Sequence, residues 1–308
     1  MLSDKKILIT GPAGQIAFPM ARDMAVDNEV WGIARFGDAQ SRAKVEAVGV
    51  RTLAIDLGDP DFSELPDDFD YVLHLAVAQV PGWDFDASFR TNAEGTGLLL
   101  HHCRKAKAAL VMSTHSVYRP PADGDPWHVF HETDPLGEVN AAHAPTYSMS
   151  KIAQEAVSRT CARLFDLPVT IARMNASYGP DGTGGLPVMQ MDTLMAGNAV
   201  TTRWDPCMYM PIHTDDITAQ AEALLDAASI DTTIVNWAGD EPASVQEWCA
   251  YIGELAGITP VVNAVEQPGT LRGSVTDNTR RLSFTGPCTV GWREGIRSVF
   301  EARHGSKA

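Results

Sequence analysis

Residues 5–25, KKILITGPAGQIAFPMARDMA, constrain this chain more than any other stretch. A short apolar run with β-branched residues ends at Gly11-Pro12, and apolar residues at helical spacing follow, with Pro19 a blemish in the pattern. Such a run reads as a strand buried on both faces, which a covered parallel sheet accommodates. Thr10-Gly11-Pro12-Ala13-Gly14-Gln15-Ile16-Ala17 joins strand to helix. Gly11 permits the tight turn and Gly14 lets phosphate approach the backbone. Ala17 stands where close helix packing admits only a small side chain. The opening helix offers unpaired N–H groups along Ala13, Gln15 and Ile16 to a pyrophosphate. A strand–glycine turn–helix unit at the first turn is the setting a dinucleotide fingerprint requires.

The rhythm continues. "EVWGIAR", "VRTLAID", "YVLHLAV", "ALVMST" and "PVTIARM" read as further strands. Helices fall on "AQSRAKVEAVG" (closed by Gly49), "TNAEGTGLLLHHCRKAK" and "TYSMSKIAQEAVSRTCARLF". Strand and helix alternating in this way predict a Rossmann-type, doubly wound parallel α/β sheet. After Met174 the alternation weakens at "NASYGPDGTGGLP". Helices are expected over 216–228, 245–256 and 293–303, with a strand at "TTIVNWAG". The expected organisation is a nucleotide-binding part, 1–173 with return segments near 212–238. A smaller, discontinuous C-terminal substrate lobe, 174–211 and 239–308, would face it across a ligand cleft.

The 308 residues carry a net charge of -15, which disfavours nucleic acid and anionic membrane surfaces as partners. No stretch of about 18 apolar residues suggests a membrane span. The N-terminal apolar run is too short for a signal peptide. Five scattered cysteines without a CxxC pair suit a reducing cytoplasm. His101-His102, adjacent on a helix, diverge in direction, and no metal site is expected.

The second strand ends at Arg35, where an acidic residue would bind a ribose 2'-hydroxyl and an arginine suits a 2'-phosphate. NADP is therefore preferred over NAD, with Arg42 and Lys44 as possible helpers and Asp38 as a complicating charge. Asp56, at the end of the third strand, is positioned either to accept a hydrogen bond from adenine or to cap its own turn.

Tyr147 and Lys151, in "YSMSK", lie four apart and share a helix face. An ammonium near a phenol stabilises the phenolate and brings its pKa toward working pH. The tyrosine then serves as general acid or base. Upstream, "VMSTHSVY" leaves the fifth strand with hydroxyls at Ser113 and Thr114.

With these residues in view, the chain resembles the extended short-chain dehydrogenase/reductase superfamily, the NAD-dependent epimerase/dehydratase family. "ITGPAGQIA", "AIDLGD", "YVLHLAV", "TNAEGTGLLLHHC", "VMSTHSVY", "YSMSK", "IARMNASYGP", "PIHTDDIT" and "VNWAGDEPAS" match in order over nearly the whole length. The resemblance implies a hydroxyl–Tyr–Lys triad of Thr114 (with Ser113 the alternative), Tyr147 and Lys151. It also implies that Leu57 beside Asp56, Leu75, Ala76 and Asn92 lie along the cofactor, with Asn175 near the nicotinamide. A homodimer through the helices after the fourth and fifth strands is implied as well. Dehydratases of the family carry Thr-Asp-Glu where this chain has Thr114-His115-Ser116, so dehydration is not expected. Nucleotide-sugar epimerases carry an arginine at the position of Tyr209; Arg203, a candidate substrate contact, could substitute from an adjacent loop, but its spacing differs from theirs. The expected activity is hydride transfer between a nicotinamide and a carbonyl or alcohol of a smaller, less anionic substrate. Nucleotide-sugar epimerisation and non-catalytic NADP sensing are the alternatives. His115 and Trp83, with Phe85, are candidate substrate contacts, and His213 and Asp216 are read as structural.

Overall fold

In β1, Lys6–Thr10, the side chains of Ile7 and Ile9 enter one apolar cluster and Leu8 enters another. This is period-two alternation with both faces buried. Each such side chain withdrawn from water contributes about 1.5–3 kcal/mol. The other strands of the sheet are β2 (Glu29–Ala34), β3 (Arg51–Ala54), β4 (Tyr71–His74), β5 (Ala108–Thr114), β6 (Val169–Met174) and β7 (Thr233–Trp237). This computed structural model describes residues 2–137, 144–182 and 184–305.

All seven strands are parallel, in the order β7-β6-β5-β4-β1-β2-β3. The chain builds outward from β1 to β3, then crosses back to β4. The carboxyl ends of β1 and β4 therefore flank a topological switch point, where sheets of this kind open a crevice. "TTIVNWAG" supplies β7, which closes the far edge beside β6.

The helices are α1 (Ala17–Met24), α2 (Ala39–Glu46), α3 (Phe85–Phe89), α4 (Gly95–His102), α5 (Tyr147–Phe165), α6 (Gly185–Met195), α7 (Thr214–Asp226), α8 (Val245–Ala256), α9 (Thr279–Thr285) and α10 (Trp292–His304). Pro19 falls in the first turn of α1, where its missing N–H has no intrahelical partner to lose. Between α3 and α4 the chain takes a π-helical turn, Arg90–Glu94, that the sequence pattern does not signal.

A third cluster joins Val188 and Met191 of α6, Trp248 and Ile252 of α8, and Ile296 and Val299 of α10. His213 caps α7, its Nδ1 accepting from the Asp215 N–H at 3.2 Å. Asp216 accepts from the N–H groups of Thr289 and Val290 at 2.7 and 3.1 Å. His213 thus caps α7, and Asp216 anchors the loop before α10. All five cysteines are unpaired. No helix among the described residues is long and apolar enough to cross a membrane.

Candidate active site

Three cavities with shared walls run across the carboxyl ends of the strands. The first, at the nucleotide end, is lined by Gly11, Arg35, Asp56, Leu57, Ala76 and Asn92, among others. The second, about 370 Å³, is bounded by Gly11, Gly14, Gln15, Ile16, Leu75 and Lys151. The third, about 280 Å³, is lined by His115, Arg203, Tyr209, Leu271 and Ser274. Tyr147, Thr114 and Asn175 stand in the wall common to the second and third.

The glycine turn fits a dinucleotide. Gly11 has φ +68°, and a Cβ there would stand 3.2 Å from the Ala76 Cα. The missing side chain lets this turn pack directly against Ala76, and Gly11 and Gly14 together line the second cavity. Gln15 Nε2 donates to the Ser177 carbonyl and hydroxyl, both at 3.2 Å, tying the turn to the chain beyond β6. Ala13 packs on the core beneath instead of lining the cavity.

Asn92 lies inside the π-helical turn and is not a helix cap. Its Oδ1 accepts from the Ala78 N–H at 2.8 Å, while Nδ2 donates to the Ala78 carbonyl at 2.8 Å and to Ser150 Oγ at 2.9 Å. It pins the loop after β4 to the start of α5. Asp56 does cap its own turn, Oδ1 accepting from the Gly58 N–H at 2.9 Å, while also lining the nucleotide end.

The charges near Arg35 are disposed differently from expectation. Asp38 caps α2, accepting from the N–H groups of Gln40 and Ser41, each at 3.0 Å. Arg42 donates to Glu46 Oε1 and Thr52 Oγ1, each at 2.9 Å, and Lys44 lies 3.7 Å over the Phe18 ring and 3.5 Å from Asp181. Neither helper turns to the crevice. Arg35 itself has no partner among the described residues.

Strand alternation separates the two candidate hydroxyls. Ser113 Oγ donates to buried Glu155 Oε1 at 2.6 Å, on the α5 side of the sheet. Glu155 also takes a two-pronged pair from Arg173, at 3.0 and 2.8 Å. Thr114 stands with Tyr147 in the cavity wall, and its hydroxyl acts on the phenol.

The electrostatics of the tyrosine also depart from expectation. Burial pushes the Tyr147 phenol above its ordinary value, and the Thr114 hydrogen bond opposes that shift. Lys151 does not act on it here. Its buried Nζ donates to the Met112 carbonyl at 2.7 Å, and burial, opposed by Glu155, holds its ammonium down to about 7. An i, i+4 spacing sets a shared face but not a contact between tips.

His115 lines the third cavity with its ring 5.0 Å from both Tyr118 and Phe130. Neither of its buried nitrogens has a described partner. Trp83 is 64% exposed, stacked loosely on Phe85 at 6.2 Å, and lines none of these cavities. Asn175 is spent on backbone: it donates to the Ser274 carbonyl at 2.7 Å and accepts from the N–H groups of Ala176 and Met210 at 2.8 and 3.1 Å.

Arg203, a candidate substrate contact in the sequence, lies in this region too. It reaches the third cavity and donates to Tyr209 Oη at 2.7 Å. Tyr209 is pushed up to about 12 by burial and stays neutral, and no carboxylate pairs with Arg203 among the described residues. Counting back from His213 lands on Tyr209, and Arg203 arrives from the adjacent loop instead. Gln79, Met112 and Met174 also line the crevice; the two methionines lie inside matched stretches without being singled out, and Gln79 follows one. No group of described residues could hold a metal ion.

A doubly wound sheet with a glycine-lined crevice opening on a tyrosine and a lysine defines an NAD(P)-dependent enzyme of the extended short-chain dehydrogenase/reductase type. The NAD dependent epimerase/dehydratase family matches residues 7–208, and the chain belongs to it. No curated protein matches the sequence. Among solved structures, UDP-glucuronic acid 4-epimerase from Bacillus cereus, in complex with UDP-glucuronic acid and NAD, is similar at 21% identity and TM-score 0.82, over 96% of this chain and 98% of that one. UDP-N-acetylglucosamine 4-epimerase from Methanobrevibacter ruminantium is similar at 17% identity and TM-score 0.83, over 98% of each chain. dTDP-glucose 4,6-dehydratase from Bacillus anthracis, in complex with NAD, is similar at 16% identity and TM-score 0.80, over 98% and 97%. At these identities the likeness establishes the fold.

Proposed function

We propose that this enzyme oxidises and re-reduces a hydroxyl-bearing carbon of an anionic, nucleotide-sugar-like substrate, as a 4-epimerase does. The observation that carries this reading is Arg203, uncompensated by any described carboxylate, in the same cavity as Tyr147. A cation so placed favours a ligand with a hydroxyl at one end and a phosphate or carboxylate at the other. The expectation of a less anionic substrate rested on Tyr209 standing where relatives carry an arginine and on the different spacing of Arg203. The similar structures, which hold UDP-sugars and NAD, support the same class.

In this reading Gly11, Gly14, Ile16, Leu75 and Lys151 hold the dinucleotide's central part, and Asp56, Leu57, Ala76 and Asn92 its adenosine. The bound nicotinamide supplies the site that accepts and returns a hydride. Tyr147, acting as its phenolate, takes the proton from the substrate hydroxyl to become the neutral phenol, and returns that proton to the oxygen when the hydride comes back. Thr114 Oγ1 positions that oxygen beside the phenol. Lys151, buried and near neutrality, orients the cofactor ribose. The division into a nucleotide-binding part and a C-terminal substrate lobe belongs to this proposal, as does a homodimer through α4 and α5.

Arg35 favours a second reading, a net NADP-dependent dehydrogenase or reductase, because a free guanidinium at the nucleotide end suits a 2'-phosphate. One experiment separates the two. The purified enzyme is incubated with a panel of UDP- and dTDP-sugars, with products separated chromatographically and the reduced-nicotinamide absorbance followed. An epimer formed with no net absorbance change supports the first reading. Net absorbance change without an epimer sinks it in favour of the second.

A further inference from the structure

We propose that His74 is a positioning residue for the dinucleotide crevice: acting through Thr10, it holds the Leu75–Ala76 backbone against the glycine turn. His74 ends β4, directly beside Thr10 at the end of β1, and both side chains are buried. Thr10 Oγ1 accepts from two backbone N–H groups, Leu75 at 3.0 Å and Ala76 at 2.9 Å. Those two bonds use both of its lone pairs. The one hydrogen left on Thr10 must therefore go to His74 Nδ1, 2.9 Å away.

This inventory decides the state of the ring. Nδ1 is an acceptor, so the proton of the neutral imidazole sits on Nε2 and is donated to Thr96 Oγ1 at 2.7 Å. Thr96 passes its own hydrogen to the Asn92 carbonyl at 2.6 Å and also accepts from Gln154 Nε2 at 3.0 Å. A protonated ring would aim Nδ1–H at an oxygen with no lone pair to spare. Burial and the nearby Lys151 charge hold the ring neutral as well.

The chain of contacts matters because of what it orders. Leu75 and Ala76 wall the crevice beside the glycine turn, and Ala76 is the residue that a Cβ on Gly11 would strike. Their two N–H groups converge on one hydroxyl whose orientation is dictated by His74. Losing that acceptor frees Thr10 to rotate and the wall to drift.

Two substitutions divide the ring's functions. In His74→Asn the side-chain oxygen stands near the Nδ1 position and still accepts from Thr10, while the Thr96 contact is lost. In His74→Gln the amide nitrogen reaches toward the Nε2 position and keeps Thr96, while Thr10 is abandoned. Titration calorimetry with NAD and NADP, beside melting temperatures and kcat at saturating cofactor, reads the outcome. We expect His74→Gln to weaken binding of the cofactor that the wild type prefers by about tenfold and His74→Asn by less than about threefold, with similar losses of melting temperature. In both, kcat at saturation stays within about threefold of wild type. Equal weakening in the two variants, or affinity that merely tracks melting temperature, overturns the proposal. If either variant fails to fold, Thr10→Ser and Thr10→Val replace them. The serine is expected to bind like wild type and the isosteric valine about tenfold more weakly, and a valine variant that binds normally is equally fatal. A wild type that binds neither nucleotide removes the crevice's assignment as well.

Discussion

At the nucleotide end of the cleft, the polar side-chain atoms of Thr10, His74, Asn92 and Thr96 all have protein partners. Across the cleft, Arg203 has a neutral phenol and no carboxylate among the described residues, and both ring nitrogens of His115 are without partners. Each buried polar group left unmet costs about 1–3 kcal/mol. Apart from exposed Arg35, the saturated half can be rigid before any ligand arrives, because the hydrogen bonds of its buried groups close on themselves. The unsaturated half holds its polar groups in reserve, and a ligand that meets them gains what the fold has forgone. One half is built for a constant partner, the other for a selective one.

The largest expected effect tests the junction. Tyr147→Phe should lower kcat by about 10³-fold while nucleotide affinity changes by less than about twofold, because only the movable proton is removed. Steady-state kinetics beside calorimetry measure both, and normal turnover in the variant would end the assignment of Tyr147 as acid and base.

Arg203→Ala should raise KM for an anionic substrate by about 30-fold, with kcat and nucleotide affinity little altered, and Arg203→Lys should recover part of the loss. Were nucleotide affinity to fall in parallel, the two halves would not be separable in the way their hydrogen bonding suggests. Arg35→Ser should cost NADP about tenfold in affinity relative to NAD, read by competitive binding. An unchanged ratio would remove Arg35 from cofactor choice.

The smallest effect is on stability. Burial, then the Lys151 charge, pushes His74 down from 6.5 to about 3; burial, then Arg173, does the same for His115. Below about 6.5 the unfolded chain takes up protons that the folded chain refuses. The contribution of these rings is thus whole above that pH and is lost as pH falls toward 3, at up to about 1.4 kcal/mol per pH unit for each. Urea unfolding at pH 7 and at pH 5 would measure it. His115→Phe should flatten that dependence and leave stability at pH 7 unchanged or higher, since it removes two unmet nitrogens. A steeper dependence in the variant would show that His115 is charged, or otherwise satisfied, in the fold.

Much of the nucleotide end was legible in the sequence because its rules are local. A glycine turn is written in consecutive residues, as is the period-two pattern of β1, and α5 carries Tyr147 and Lys151 at i, i+4 on one face. The failures share a cause. Lys44 was expected at the cofactor, but a phenylalanine from α1 took it. Lys151 was expected to acidify Tyr147, but a carbonyl on β5 captured its tip and burial dominated the phenol. Trp83 was a candidate either for the substrate or for the loop surface, and the loop carries it into solvent. In each case the deciding partner lies outside the segment that carried the prediction.

The sequence by itself determined the class of fold, the glycine turn after β1 and the shared helix face of Tyr147 and Lys151, since backbone sterics and periodicity act over a few residues. Only the tertiary structure decided which hydroxyl faces the cavity, that Arg203 joins Tyr147 across it, and which way the proton lies on His74. Those outcomes depend on desolvation and on hydrogen-bond partners contributed by distant segments, quantities that exist only once the chain has closed around them.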